Sequence, residues 1–287
     1  MKKLALVTGV DTSSIAKSIC AKFLTEGYEV ILTYENKFVE GGEERTKLEQ
    51  EYRGLPLLRF EEVNFRSKAS VNELLQRLRQ FEFDAIINCA ASLALTESGE
   101  LRHEFADFDY DAFNNVLQYN ITTIAAISIG LKDNIAPGGV IINVTSSAAE
   151  EGAFATISYN ASKAAVKNLT QSLANNFGGY NGIRVNSVAP GWIPPSSDVA
   201  AEGIVALANA FTPNPNRGRP EDVANAVFYY VSAPFVNGAS FEVDGGITSS
   251  YFMYLVESLE LQGQDVKGII DSLVSLASDS KKRLGKN

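Results

Sequence analysis

Apolar runs of strand length alternate with amphipathic stretches almost to the end of the chain. The runs at Lys3–Thr8, Glu29–Tyr34, Leu57–Phe60, Asp84–Asn88, Gly139–Thr145, Ile183–Ala189 and Ser240–Val243 read as strands. Between them, Ser14–Glu26, Ser70–Phe81, Ala112–Leu131, Ile157–Phe177 and Glu221–Val231 carry apolar residues at helical spacing. Strands such as GVIINVT are apolar at nearly every position, which suits a sheet covered on both faces. Strand–helix alternation joins parallel neighbours by right-handed crossovers, so the pattern predicts an α/β fold with a doubly wound parallel sheet of about seven strands. No repeat or low-complexity linker interrupts residues 1–247, which read as one domain. Two segments break the alternation: 194–220, with proline and asparagine at its ends, and a tail over 248–287.

Composition narrows the function. The 287 residues carry a net charge of −9 and no basic patch, which argues against nucleic acid and anionic membranes as partners. The longest apolar runs are strand-length, so no transmembrane segment is expected. The apolar part of MKKLALVTG is too short for a signal peptide. Cys20 and Cys89 sit inside apolar stretches and read as buried thiols, which fits a cytoplasmic location. The single histidine, His103, lies in a polar stretch and reads as a solvated loop residue. With one histidine, a metal site or a serine–histidine–aspartate triad is not expected.

The chemistry concentrates in SYNASKAA. Tyr159 and Lys163 are four residues apart at the start of a helical stretch, and so share a face. An ammonium beside a phenol favours the phenolate and should pull its pKa down, making the tyrosine an acid/base for an alcohol or carbonyl oxygen. Ser146, 13 positions before Tyr159, ends a strand. In a parallel α/β sheet ligands bind at the carboxyl ends of strands, where Ser146 can hold a substrate oxygen.

Ser146, Tyr159 and Lys163, followed in order by NSVAPGW, PEDVA and VDGG, give the chain from Lys3 to about Gly246 a strong resemblance to the short-chain dehydrogenase/reductases. The resemblance implies a Rossmann-type sheet and an NAD(P)-dependent oxidoreductase. Tyr159 becomes the general acid/base, Lys163 lowers its pKa and holds the nicotinamide ribose, and Ser146 orients the substrate. Asn120 in VLQYNITTIAA takes the place of a fourth catalytic member; its other reading is a helix residue bonding backbone. The first loop, TGVDTSSIAK, has Thr8 and Gly9, then Ser14, Ile15 and Ala16 where the family has Gly-Ile-Gly, and is one residue longer. It is similar to the loop of the enoyl-acyl-carrier-protein reductases in the same superfamily. The helix N-terminus and its amides would hold the pyrophosphate, with Ser14 as cap. By position, Asn64, Asn88, Ala90, Pro190, Gly191 and Ile193 become further cofactor contacts. Pro195 replaces the family's carboxamide-binding threonine, with Ser196 or Ser197 as substitutes.

Glu35, after Tyr34 at the end of the second strand, sits where the adenosine ribose is met, and a carboxylate there repels a 2′-phosphate. With no basic residue in VDTSS, the cofactor choice leans to NAD(H), although Lys37 is near enough to reach a phosphate of NADP(H). Residues 194–220 correspond to the family's substrate lid. Its apolar residues, from Ala200 to Phe211, either receive an acyl chain or pack on the core. Trp192 is a wall of the substrate pocket or ordinary packing. The implied reaction is reduction of a carbonyl, or the reverse, on a 3-oxoacyl thioester delivered free or on a carrier protein, with Arg217 and Arg219 as a local basic patch. Another ketone or secondary alcohol (cyclic, steroid-like or sugar) and a non-catalytic dinucleotide-binding scaffold are the alternatives. Enoyl reductases usually space tyrosine and lysine more widely. The tail should form helices over 249–278 that pack on a neighbouring subunit, since the family forms homodimers or homotetramers, or that close over the active site; the plainer alternative is a helix packed on its own subunit far from the cleft.

Overall fold

The structure is a computed structural model that describes residues 2–9, 13–35, 50, 58–94, 102, 104, 107–150, 156–193, 212–214, 216–249 and 268. His103, Lys37, Pro195, Ser196, Ser197, most of 194–220 and the tail apart from Gly268 lie outside these residues. Seven parallel strands form one sheet: β1 (Leu4–Val7), β2 (Glu29–Tyr34), β3 (Leu58–Glu62), β4 (Phe83–Asn88), β5 (Ile135–Val144), β6 (Arg184–Pro190) and β7 (Ser240–Val243). Their order is β3-β2-β1-β4-β5-β6-β7. The direction of winding reverses between β1 and β4, and at that point the carboxyl ends of a doubly wound sheet leave a crevice.

The helices are α1 (Ser14–Thr25), α2 (Lys68–Leu78), α3 (Tyr110–Leu117), α4 (Thr123–Gly130), α5 (Ile157–Gly178) and α6 (Pro220–Ser232). They cover the sheet on two sides. On one, Ala16, Ile19 and Phe23 of α1 and Val223, Val227 and Tyr230 of α6 pack over Ala5, Val7, Val30 and Leu32. On the other, Leu74 and Leu78 of α2, Ile127 of α4, and Leu173 and Phe177 of α5 pack over Leu6, Ile31, Ile86 and Ile141. Residues alternate between the faces because successive strand side chains point to opposite sides. At the start of β6, Arg184 sends its guanidinium to the carbonyls of Tyr230, Val231 and Ala233, so a cation satisfies the end of α6. Among the described residues no helix is long and apolar enough to cross a membrane.

The stretch Ala112–Leu131 is helical through Gly130, but α3 and α4 join through a π-helical turn over Gln118–Thr122. Such wide turns carry poorer hydrogen bonding than an α-helix and concentrate at functional sites. This one contains the buried residues Tyr119 and Asn120.

Candidate active site

The first loop leaves β1 at its carboxyl end. Thr8 ties it to β4, its hydroxyl accepting from the amides of Cys89 and Ala90 at 3.0 and 3.1 Å. Gly9 has φ +81°, and a Cβ there would meet the Ala90 Cα at 2.5 Å, so the two loop backbones touch. Ser13, not Ser14, caps α1: it is extended, and its hydroxyl accepts from the amide of Ala16. Ser14 is the first helical residue, with Ile15 after it. Ala16 is fully buried, which lets α1 lie close on the sheet. The first turn of α1 holds no acidic residue, so its positive end stays available to an anion at the crevice. These residues fit the pyrophosphate of a dinucleotide.

The catalytic candidates converge at the ends of β5 and β6. Ser146 follows β5 in extended conformation, and its hydroxyl lies in hydrogen-bond contact with the Tyr159 phenol. Tyr159 and Lys163 lie on the first turns of α5, with the Lys163 Nζ 5.5 Å from the centre of the tyrosine ring. The lysine is 1% exposed and donates to the Val144 carbonyl at 2.9 Å. One expectation is reversed. Burial pushes the Tyr159 phenol above its ordinary value, and the hydrogen bond from Ser146 only partly offsets that. The ammonium stands over the ring face, and burial pulls Lys163 itself down to about 8.

The sign of the lysine effect gives a test. Lys163 is charged in both folded and unfolded chains below about pH 8 and neutral in both above about 10.5, so its burial penalty is complete at low pH and fades between those values. Lys163→Met should therefore unfold at higher urea than the parent below about pH 8, and the advantage should shrink towards pH 10.5. A constant difference across the series would show that the ammonium carries no such penalty.

Asn120 comes close to this group through one intermediary. Its side-chain oxygen accepts from the Ser92 amide at 2.8 Å, and its nitrogen donates to the Ser92 carbonyl and the Ser162 hydroxyl, each at 2.9 Å. Ser162 in turn donates to the Tyr159 carbonyl at 2.7 Å. Both side-chain hydrogens of Asn120 are engaged in this brace. Asn88 is buried between strands, donating to Asn143 and Ser128. Its side-chain oxygen is buried with no partner.

The remaining predicted contacts are spread more widely. Asn64 is exposed, and its side chain accepts from the Arg66 amide. Tyr34 and Glu35 are 1% and 4% exposed. Glu35 accepts from the Phe65 amide at 2.8 Å and from the Tyr119 hydroxyl at 2.9 Å. Pro190 ends β6, Gly191 bonds the Val243 carbonyl, and Ile193 follows. Trp192 and Ile193 line a cavity of about 820 Å³ together with Thr212, Arg217, Glu242 and Asp244. Arg219 on its rim is paired with Asp222.

Glu104 was missed in the sequence. It is 3% exposed, and its carboxylate accepts from the Ser158 amide at 2.9 Å, capping the helix that carries Tyr159. The N-cap residue Thr156 makes no side-chain bond of this kind. The only available signal was an acid in GELRHEFADFDYD, indistinguishable there from its neighbours.

Comparison with known proteins identifies the family and the fold. A family model described as Enoyl-(Acyl carrier protein) reductase matches residues 9–248. The chain is 31% identical to the 3alpha-hydroxysteroid dehydrogenase of Mediterraneibacter gnavus over 86% of its own length and 97% of that protein. It is 27% identical to the acetoacetyl-CoA reductase of an Acinetobacter species, covering 86% and 98% of the two chains. Among solved structures, a 4-hydroxyisoleucine dehydrogenase complexed with NADH superposes with a TM-score of 0.74 at 22% identity, covering 87% of this chain and 100% of the other, and shares the fold. With this sheet order, these loops and a family match across most of its length, the chain belongs to the short-chain dehydrogenase/reductase family.

Proposed function

We propose that the protein is an NAD(P)H-dependent ketoreductase that interconverts a 3-oxoacyl thioester and its 3-hydroxy form. The observation that carries the reaction type is the meeting of Ser146, Tyr159 and Lys163 at the carboxyl ends of β5 and β6. When bound, the cofactor gives or takes the hydride. The Ser146 hydroxyl holds the carbonyl oxygen, and Tyr159 Oη gives that oxygen its proton. The resulting phenolate lies beside the Lys163 ammonium, which the Val144 carbonyl holds in place. In the reverse direction Tyr159 takes the proton from the alcohol. Asn120 and Glu104 hold α5, and with it Tyr159, in position.

The thioester is supported by the likeness to an acetoacetyl-CoA reductase along almost the whole of that protein. Arg217, with no ion-pair partner among the described residues, gives the cavity beside Trp192 a cation for an acidic carrier or a phosphorylated thioester. Arg219, tied to Asp222, contributes less to such a patch. A 3-oxosteroid or cyclic ketone is the second reading, favoured by the higher identity to a hydroxysteroid dehydrogenase. The same residues would serve either substrate.

The test is a panel with purified full-length protein, each cofactor in turn, and acetoacetyl-CoA, longer 3-oxoacyl thioesters, a 3-oxosteroid and cyclic ketones. Loss of reduced-nicotinamide absorbance should be fastest with a thioester. Turnover of the steroid with none of any thioester would move the function to the second reading. Tight cofactor binding with no turnover on any carbonyl would favour a scaffold.

A further inference from the structure

A chain of polar contacts runs from the end of β2 to the backbone of Tyr159, and it begins at Glu35. This carboxylate is 4% exposed, and both its oxygens are bound. Oε1 accepts from the Phe65 amide at 2.8 Å. Oε2 accepts from the Tyr119 hydroxyl at 2.9 Å and lies 3.7 Å from Nη1 of Arg66. Arg66 stacks its guanidinium 5.0 Å from the centre of the Tyr119 ring and donates through Nη2 to the Ser92 hydroxyl at 2.8 Å. Ser92 is the residue whose backbone Asn120 grips from both sides, and Asn120 reaches Tyr159 through Ser162. Tyr119 and Asn120 are adjacent in the π-helical turn. Two arms of the network therefore converge on that turn: one through Tyr119, the other through Arg66 and Ser92.

We propose that Glu35 is a positioning residue that fixes the wide turn and, through it, the helix carrying Tyr159, and that it does not choose between NADH and NADPH. A discriminating carboxylate acts by meeting the ribose hydroxyls or by repelling a 2′-phosphate. A side chain buried to this degree, and held by Phe65, Tyr119 and Arg66, presents little of its carboxylate to a ribose. Its charge is already offset by the Arg66 guanidinium and by two hydrogen-bond donors, which weakens any repulsion it exerts outside. Removing it instead leaves the buried Tyr119 hydroxyl without its acceptor and loosens Arg66 from Ser92, and a small displacement of a catalytic group is costly to rate. The proposal rests on the reading of Tyr159 as the catalytic acid.

Three variants of the full chain test it: Glu35→Ala, Glu35→Gln, which keeps one acceptor oxygen, and Tyr119→Phe, which removes a single hydroxyl. Dissociation constants for NADH and NADPH by calorimetry, kcat and KM on the substrate found in the panel, and melting temperature are measured for each. The ratio of the two dissociation constants should stay within about twofold of the parent in all three. Turnover should fall by about 10–100-fold in Glu35→Ala and Tyr119→Phe with KM nearly constant, and Glu35→Gln should recover much of it. A shift of the ratio towards NADPH by about tenfold in Glu35→Gln at unchanged kcat would make Glu35 a cofactor selector and overturn the proposal. Lower melting temperatures with unchanged kcat would overturn it too, leaving Glu35 a fold residue only. If the parent turns over no carbonyl, the reading of Tyr159 has failed, and the cofactor ratio still decides whether Glu35 selects.

Discussion

Tyr159→Phe is expected to reduce turnover by about 10²–10⁴-fold or more while leaving the dissociation constant of the cofactor nearly unchanged. The substitution keeps the ring on α5, over which the Lys163 ammonium stands, and removes only the hydroxyl that contacts Ser146. Binding energy from the ring is retained, so the loss falls on kcat rather than on KM. Single-turnover kinetics with bound cofactor separate the chemical step from product release. Near-parental single-turnover rates in the phenylalanine variant would remove Tyr159 from the reaction.

Gly9→Ala is the second substitution with a large expected effect, this time on the fold. The left-handed conformation at φ +81° costs an alanine about 1–2 kcal/mol. The new methyl must also displace the backbone of Ala90, which it would meet at 2.5 Å, and overpacking of this kind costs about 1–3 kcal/mol more. Gly27 supplies the control. Its φ is +83°, but nothing lies within 4 Å of a Cβ built there, so Gly27→Ala should carry the conformational cost alone. Urea unfolding of the two variants should place Gly9→Ala clearly below Gly27→Ala, and cofactor affinity should fall only in the former. Equal losses would mean that the loops part easily and that their contact does not shape the cofactor site.

The strands were legible in the sequence because a sheet covered on both faces leaves each strand nearly continuous in apolar residues, as in Val140–Val144. Ser146, Tyr159 and Lys163 were legible because their spacing is local: one strand end and one helix face fix all three. What escaped depends on residues far apart in the chain. Glu35 reads as a carboxylate at the adenosine ribose until Tyr119 and Arg66, brought by other elements, close over it. Glu104 reads as one acid among several until α5 offers its amide. The direction of the tyrosine shift was misread because spacing shows which charge is near but not how far the surrounding chain desolvates the two groups. Ser13 and Ser14 are consecutive serines before an apolar stretch, and hydrophobic pattern alone does not tell a cap from the first helical residue.

The π-helical turn also bears on how related chains should be aligned. A wide turn accommodates one residue more than the α-helical turn it replaces, while α3 before it and α4 after it continue the helix. A homologue shorter by one residue would restore a regular helix here without disturbing the apolar stripes on either side. A one-residue gap opposite Gln118–Thr122 is thus not alignment noise to be slid into the nearest loop. In such a chain the turn is expected to close, and the asparagine would be rotated relative to Ser92 and Ser162, which here it reaches together.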